Sequence, residues 1–238
     1  MRLRVRYTKI GKVRFVGHRD LARVWERTIR RAELPIAYTE GFSPRPKLHF
    51  GLALSVGHES DAEYLDIDLR EPVDPDGIAE RLDAEMPAGV DVSAVRIIDR
   101  SDDALQQAVV ACTWSFWLPG VSEAVASAAV REVMAEIALP VEIERKGVLT
   151  TVDARPHIES LVVNGADDGC EVVVVLRRGE RSLRPNELLQ LLLRGELLVD
   201  PALVRIRRIE QWIEIDGVLR AVMPAVGALP MPPLQVAN

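Results

Sequence analysis

Over residues 47–69 apolar side chains recur at every second position. Leu48, Phe50, Leu52, Leu54 and Val56 come first, then Leu65, Ile67 and Leu69. A period of two is satisfied by extended chain with one buried face. The polar Gly57-His58-Glu59-Ser60 between the runs leaves room only for a reversal. The stretch therefore predicts an antiparallel hairpin. A turn near His58-Glu59 sets paired positions to sum to about 117. That register places Leu48 opposite Leu69, Phe50 opposite Ile67, His49 opposite Asp68 and Gly51 opposite Asp66.

The elements on either side extend this pattern. Residues 2–7 alternate between Leu3, Val5, Tyr7 and Arg2, Arg4, Arg6, which predicts a half-buried strand. Gly11-Lys12 marks a turn, after which residues 13–16 resume as strand. Residues 19–33 read as a helix with Leu21, Trp25, Thr28, Ile29 and Ala32 toward a core. Pro35 ends it, and residues 39–46, with one Gly and two Pro, form a loop. Asp74-Pro75 opens a second helix with Ile78, Leu82 and Met86 inward, and residues 90–98 return as strand. The order is β-α-β-β-α-β, the ferredoxin-like plan.

After a polar linker at 99–107 the same order is read again. A strand covers 109–118, with Trp114, Phe116 and Leu118 on one face. An Ala-rich helix covers 121–138. Strands follow near 141–152, 158–163 and 171–176, the last apolar enough to be central. A Leu-rich helix opens at Pro185, a strand covers 204–209, and a short hairpin covers 211–222. The expected fold class is α+β, with two tandem ferredoxin-like units built on antiparallel sheets. The expected domains are a basic unit at 1–100, a second unit at 108–222 and a proline-rich tail at 223–238.

Charge is distributed unevenly along this plan. Residues 1–50 hold 13 Lys and Arg against 4 Asp and Glu, whereas the rest of the chain holds 17 against 32. A basic end on an acidic body points to a polyanion partner. With 48% apolar and 28% charged residues, the composition excludes disordered and collagen-like chains. No apolar run approaches the length of a membrane span, so no membrane partner is expected. The basic start MRLRVRYTKIGK lacks the apolar core of a secretory signal. Cys112 and Cys170 alone make neither a disulfide framework nor a metal site, so a reduced, cytoplasmic protein without cofactor is expected.

The first helix carries the clearest candidate site. Arg19, Arg23, Arg27 and Arg30 are spaced four, four and three, on one face offset from the apolar stripe, with Arg31 beside them. Guanidinium groups grip phosphate through paired hydrogen bonds, so such a stripe suits a nucleic-acid backbone. Glu26 and Arg30 have the spacing of a helical ion pair. His18 stands at the helix start between Arg14 and Arg19, where a phosphate could approach and a neutral imidazole could act as general base. Asp20 suits a cap or a first-turn acid stabilised by the helix dipole. In the loop Gly41-Phe42-Ser43-Pro44-Arg45-Pro46-Lys47, Phe42 is a candidate for stacking on a base, and Arg45 and Lys47 for meeting phosphate. Nucleotide-binding loops, hydrolase elbows, metalloprotease helices and paired CxxC motifs are all missing from the sequence.

Several of these motifs resemble the radical SAM-associated (radical SAM-linked) protein family, a domain of unknown function. They are Gly17-His18-Arg19-Asp20, Arg30-Arg31, Gly41-Phe42-Ser43-Pro44-Arg45-Pro46 and Gly57-His58-Glu59-Ser60-Asp61-Ala62-Glu63. Later segments are also similar: Asp153-Ala154-Arg155-Pro156-His157-Ile158, Arg184-Pro185, and residues 208–212. The chain departs from the family pattern with Gly17 for Ser, Arg19 for Leu, Ser43 for Asn and Arg45 for His. Losing the loop histidine weakens any two-histidine catalytic site.

The resemblance implies a link to RNA or ribosome metabolism. Members stand alone or follow a radical SAM domain, and the standalone ones are often encoded beside an E/G-type ribonuclease. Three functions are expected in this order. The first is a non-catalytic RNA-binding accessory protein. The second is a metal-independent endoribonuclease with His18 as base and Arg19, Arg45 or Lys47 stabilising the phosphorane. The third is a protein-binding adaptor for a radical SAM enzyme.

Overall fold

The computed structural model describes residues 1–99, 102–145, 147–179, 183–193, 197 and 199–223. In chain order the strands and helices begin with β1 (Arg2–Lys9), α1 (His18–Arg31), β2 (Leu48–Phe50), β3 (Glu59–Asp68), α2 (Ile78–Asp83), β4 (Val92–Ile98) and α3 (Leu105–Ala108). They continue with β5 (Val109–Pro119), α4 (Glu123–Ala135), β6 (Pro140–Arg145), β7 (Val148–Asp153), β8 (Ile158–Ala166), β9 (Gly169–Arg177), α5 (Pro185–Leu192), β10 (Arg205–Ile215) and β11 (Val218–Ala221). Two units are distinguished. The first covers Met1–Ala108 with residues 221–223, and the second covers Val109–Arg220.

In the first unit β1 lies between β3 and β4, β2 adds to β3, and every pair is antiparallel. Leu21, Trp25 and Ile29 of α1, with Ala32 just after it, share one core with Leu3, Val5 and Tyr7 of β1 and with Leu65 and Ile67 of β3. Trp25 meets Tyr7 edge-on with ring centres 4.9 Å apart. Such a pair adds about 0.5–1.5 kcal/mol beyond its buried area. Ile78 and Leu82 of α2 complete this core.

The hairpin forms with a different register. Leu48 pairs with Ile67, His49 with Asp66 and Phe50 with Leu65. The shift from the expected pairing is two residues, so each side chain keeps its face. β2 is also shorter than the alternation implies. Gly51 still donates to the Tyr64 carbonyl at 2.9 Å, and then the chain leaves the strand. Leu52 and Leu54 are half-buried, and Val56 is exposed.

The arginine face of β1 is buried as well. Arg4 and Arg6 are each 5% exposed. Arg4 forks onto Asp66 with two 2.8 Å hydrogen bonds, and Arg2 onto Asp68 at 2.7 and 3.3 Å. Arg6 donates to the Met223 carbonyl at 2.6 Å, and the Tyr64 hydroxyl donates to the same oxygen at 3.3 Å. Alternation marks the apolar face of a strand, but it cannot distinguish a solvated charged face from a paired one. Residues 11–15 form a 3₁₀ helix rather than a turn and strand. α2 starts at Ile78 because Gly77, at φ 73°, turns the chain there, while Asp74 accepts from the Asp76 amide.

In the second unit the order is β10-β5-β9-β8, antiparallel throughout, with β11 on β10. The apolar β9 is central, as its composition predicts. Ser122 caps α4 by accepting from Val125 N. Glu187 at the start of α5 accepts from Arg184 N at 2.8 Å and takes a bidentate pair from Arg145. The stretch expected as one strand near 141–152 is a hairpin, β6 and β7, forming its own two-stranded sheet. Asp216 and Gly217, both with positive φ, make the tight reversal from β10 to β11.

The tandem ferredoxin-like expectation is corrected by this topology. Among the described residues the second unit holds a five-stranded sheet and a separate two-stranded one, not a single sheet of four. The second unit also places four strands, not two, between its helices. A periodic pattern fixes which face of a strand is buried; it does not fix where a sheet ends or how many hairpins it carries. The proline-rich tail expected at 223–238 lies, beyond Met223, outside the described residues. No helix among them is long and apolar enough to cross a membrane.

Candidate functional site

α1 positions the basic stripe because its other face is committed to the core. Leu21, Trp25, Thr28 and Ile29 are buried, which turns Arg19, Arg23, Arg27, Arg30 and Arg31 to solvent. Arg23 pairs with Asp20 at 3.0 Å, Arg31 meets Glu85 at 3.6 Å, and Arg27 Nε donates to the Arg23 carbonyl at 3.3 Å. Among the described residues Arg19 and Arg30 form no ion pair, so the helical Glu26–Arg30 pair does not form. Exposed pairs contribute between nothing and about 1 kcal/mol. Breaking those that exist to meet a phosphate therefore costs little.

A 3₁₀ turn leads into α1. Glu59 accepts from the Gly11 amide at 2.9 Å and from Arg14 Nη1 at 3.3 Å. Held this way, the Arg14 guanidinium sits over the Phe15 ring, 4.7 Å from its centre. Phe15 is 60% exposed. The strand reading of this segment gave Phe15 no role; the signal for it was an Arg-Phe pair in a glycine-led turn just ahead of a basic helix.

Beyond α1 the loop folds into a short finger. Tyr38 bridges Pro46, Thr39 N donates to the Arg45 carbonyl at 2.8 Å, and Arg45 N donates to Thr39 Oγ1 at 3.0 Å. Gly41, at φ 125°, turns its tip in a conformation that suits glycine. Phe42 is fully exposed there, Arg45 is exposed and Lys47 half-buried.

His18 is the first residue of α1, with Gly17 at the cap and no side chain capping the helix. The histidine is exposed, and its ring meets Phe50 edge-on at 4.8 Å. Behind it lies a cavity of about 20 Å³ that Lys9, Glu63, Tyr7 and Phe50 also line. Lys9 and Glu63 are buried ionisable groups that the sequence reading did not single out. Lys9 ends β1 and Glu63 lies in the middle of β3, and an alternating pattern does not tell a buried charge from a solvated one. Ligand pockets run from about 300 to 1,000 Å³. This one has room for roughly one water.

His49 Nε2 lies 3.3 Å from Asp68 Oδ2. Burial pushes the Asp68 carboxyl up, but hydrogen bonds from Arg2 and His49 outweigh it and hold the group below its ordinary value. Among the described residues no group of three His, Cys, Asp or Glu side chains could hold a metal ion. Cys112 and Cys170 are both buried, and burial followed by the nearby Glu123 charge pushes the Cys170 thiol up.

These elements define an α+β protein with an exposed, arginine-rich helix laid on an antiparallel sheet. Residues 2–185 match the DUF2344 family, described as an uncharacterized protein conserved in bacteria. The chain belongs to that family. No match was found among curated proteins.

Proposed function

We propose that the protein binds RNA along α1 and acts as a non-catalytic accessory factor in RNA metabolism. The observation that carries this reading is the row of solvent-facing arginines, Arg19, Arg23, Arg27 and Arg30, on one helix of a chain whose net charge is −6. A local basic field on an acidic body attracts polyanions, and a bound phosphate backbone relieves the mutual repulsion of the arginines along the row. Arg14 and Arg31 extend the row, and Arg45 and Lys47 stand on the finger that follows. The resemblance to radical SAM-associated proteins suggests the wider setting: a radical SAM enzyme or an E/G-type ribonuclease would act on the RNA held here, in the cytoplasm.

The test is a titration of labelled cellular RNA at several salt concentrations. Each phosphate contact removed should lower the log–log salt slope by about 0.7 for single strands. Arg23→Ala combined with Arg30→Ala is expected to weaken binding and flatten the slope with little change in melting temperature. Wild-type affinity in that double variant would reduce the row to a solvated face and leave a protein-binding adaptor as the better reading.

A further inference from the structure

We infer that the RNA is bound as a single strand whose bases stack on Phe15 at one end of α1 and on Phe42 at the other. This rests on the RNA-binding reading and goes beyond it by naming the strand form, its length and Phe15 as a contact.

Both rings are held outward by their surroundings. The 3₁₀ turn that carries Phe15 is pinned on several sides: Glu59 holds Gly11 and Arg14, Gly57 N donates to the Arg14 carbonyl at 2.9 Å, and Val13 is buried beneath. Phe15 therefore cannot turn inward without undoing the turn. Arg14 lies over one face of the ring. A base arriving on the other face would complete a guanidinium–phenyl–base stack. Phe42 is raised on the finger by the Tyr38–Pro46 bridge and the two Thr39–Arg45 hydrogen bonds.

The two platforms stand at opposite ends of β3. The turn with Phe15 is tied to Glu59, where β3 begins. The finger is tied to Asp68, where β3 ends: Ala37 N donates to the Asp68 carbonyl at 2.8 Å, and Asp68 N to the Lys47 carbonyl at 3.1 Å. Ten residues of strand separate them by about 30 Å. A stacked strand advances about 3.4 Å per nucleotide, so the span suits roughly nine stacked nucleotides, fewer if extended. Single-strand sites commonly cover about 4–16 nucleotides. The arginines of α1 lie between the platforms, where the backbone would pass.

An exposed phenyl ring has no polar atom for a groove edge or a phosphate. It gains from a nucleic acid only by meeting a base face, and in a duplex those faces are already stacked on one another. A protein partner would instead favour one continuous apolar patch with few charges at its centre. Here the two rings stand at opposite ends of β3, with the arginines of α1 between them.

The experiment measures the affinity of the full chain for a 12-nucleotide single-stranded RNA and for a 12-base-pair RNA duplex. Wild type, Phe15→Ala, Phe42→Ala and Phe15→Trp are compared. Each alanine variant is expected to bind the single strand about 5–150-fold more weakly. Duplex affinity and the salt slope should stay unchanged, since no charge is lost, and Phe15→Trp should retain binding. Unchanged single-strand affinity in both alanine variants, or equal losses on duplex and single strand, would overturn this inference while leaving RNA binding intact. Absence of binding to either RNA by wild type would overturn the RNA reading itself.

Discussion

Arg4 and Asp66 face each other across β1 and β3, joined by two hydrogen bonds of 2.8 Å each, with side chains only 6% and 3% exposed. The two charges depend on each other, because neither has water to fall back on. Asp66→Ala is expected to destabilise the protein by about 3–5 kcal/mol, since it strands a buried guanidinium. Replacing both partners together, Arg4→Met with Asp66→Leu, should cost much less. Chemical denaturation of the three proteins checks this, and a double variant as unstable as the single one would contradict it.

A pH dependence follows from Asp68. Folding lowers its pKa, since the hydrogen bonds from Arg2 and His49 outweigh burial. The stability it contributes is complete above the unfolded value of about 3.9 and is lost as pH falls through the lower folded value. Asp68→Asn should therefore be less stable than wild type at neutral pH, and the gap should close as the solution is acidified below about pH 4. Urea midpoints measured from pH 7 down to pH 2 would show it. Parallel curves would mean the carboxylate is energetically idle.

Gly89 is the tightest glycine of the first unit. Its φ is 92°, and a Cβ there would lie 2.4 Å from the Ile10 carbonyl oxygen and 2.5 Å from Val13 Cγ2. Strain and collision together put Gly89→Ala at about 2–4 kcal/mol. Gly11→Ala is the control, because its φ is also positive but nothing lies within 4 Å. Its cost should stay near 1 kcal/mol. Thermal melts of the pair separate crowding from backbone strain.

His18 tests for catalysis. Wild type is expected to leave labelled RNA intact in EDTA, and His18→Ala to bind it about as well as wild type. Cleavage by wild type to a 2′,3′-cyclic phosphate, slowed about 10²–10⁴-fold in the variant, would make the protein an endoribonuclease.

Much of this architecture could be read from spacing. Leu3, Val5, Tyr7, Leu65 and Ile67 announced their strands and buried faces, and Leu21, Trp25 and Ile29 announced α1. The exposed arginines were legible for the same reason, since whatever is off the apolar stripe faces out. What was not legible depended on partners distant in sequence. Nothing near Arg6 indicates that its guanidinium meets the Met223 carbonyl. A two-residue hairpin slip conserves every face, so the pattern could not tell Leu48–Ile67 from Leu48–Leu69. Phe15 was overlooked because a strand and a 3₁₀ turn place that side chain differently. The separate β6–β7 sheet was missed because alternation over 141–152 does not show where a hairpin turns.

The hydrogen bonds from Arg6 and Tyr64 to Met223 also bear on how the molecule is made. Arg6 and Met223 are 217 positions apart. A ribosome adding about 5–20 residues per second takes roughly 10–40 s to go from one to the other. Throughout that interval the charged side of β1 lacks its closing contact. This face of β1 is thus completed only once residue 223 has been made, and chains halted before it should lack the hydrogen bonds of Arg6 and Tyr64 to that carbonyl.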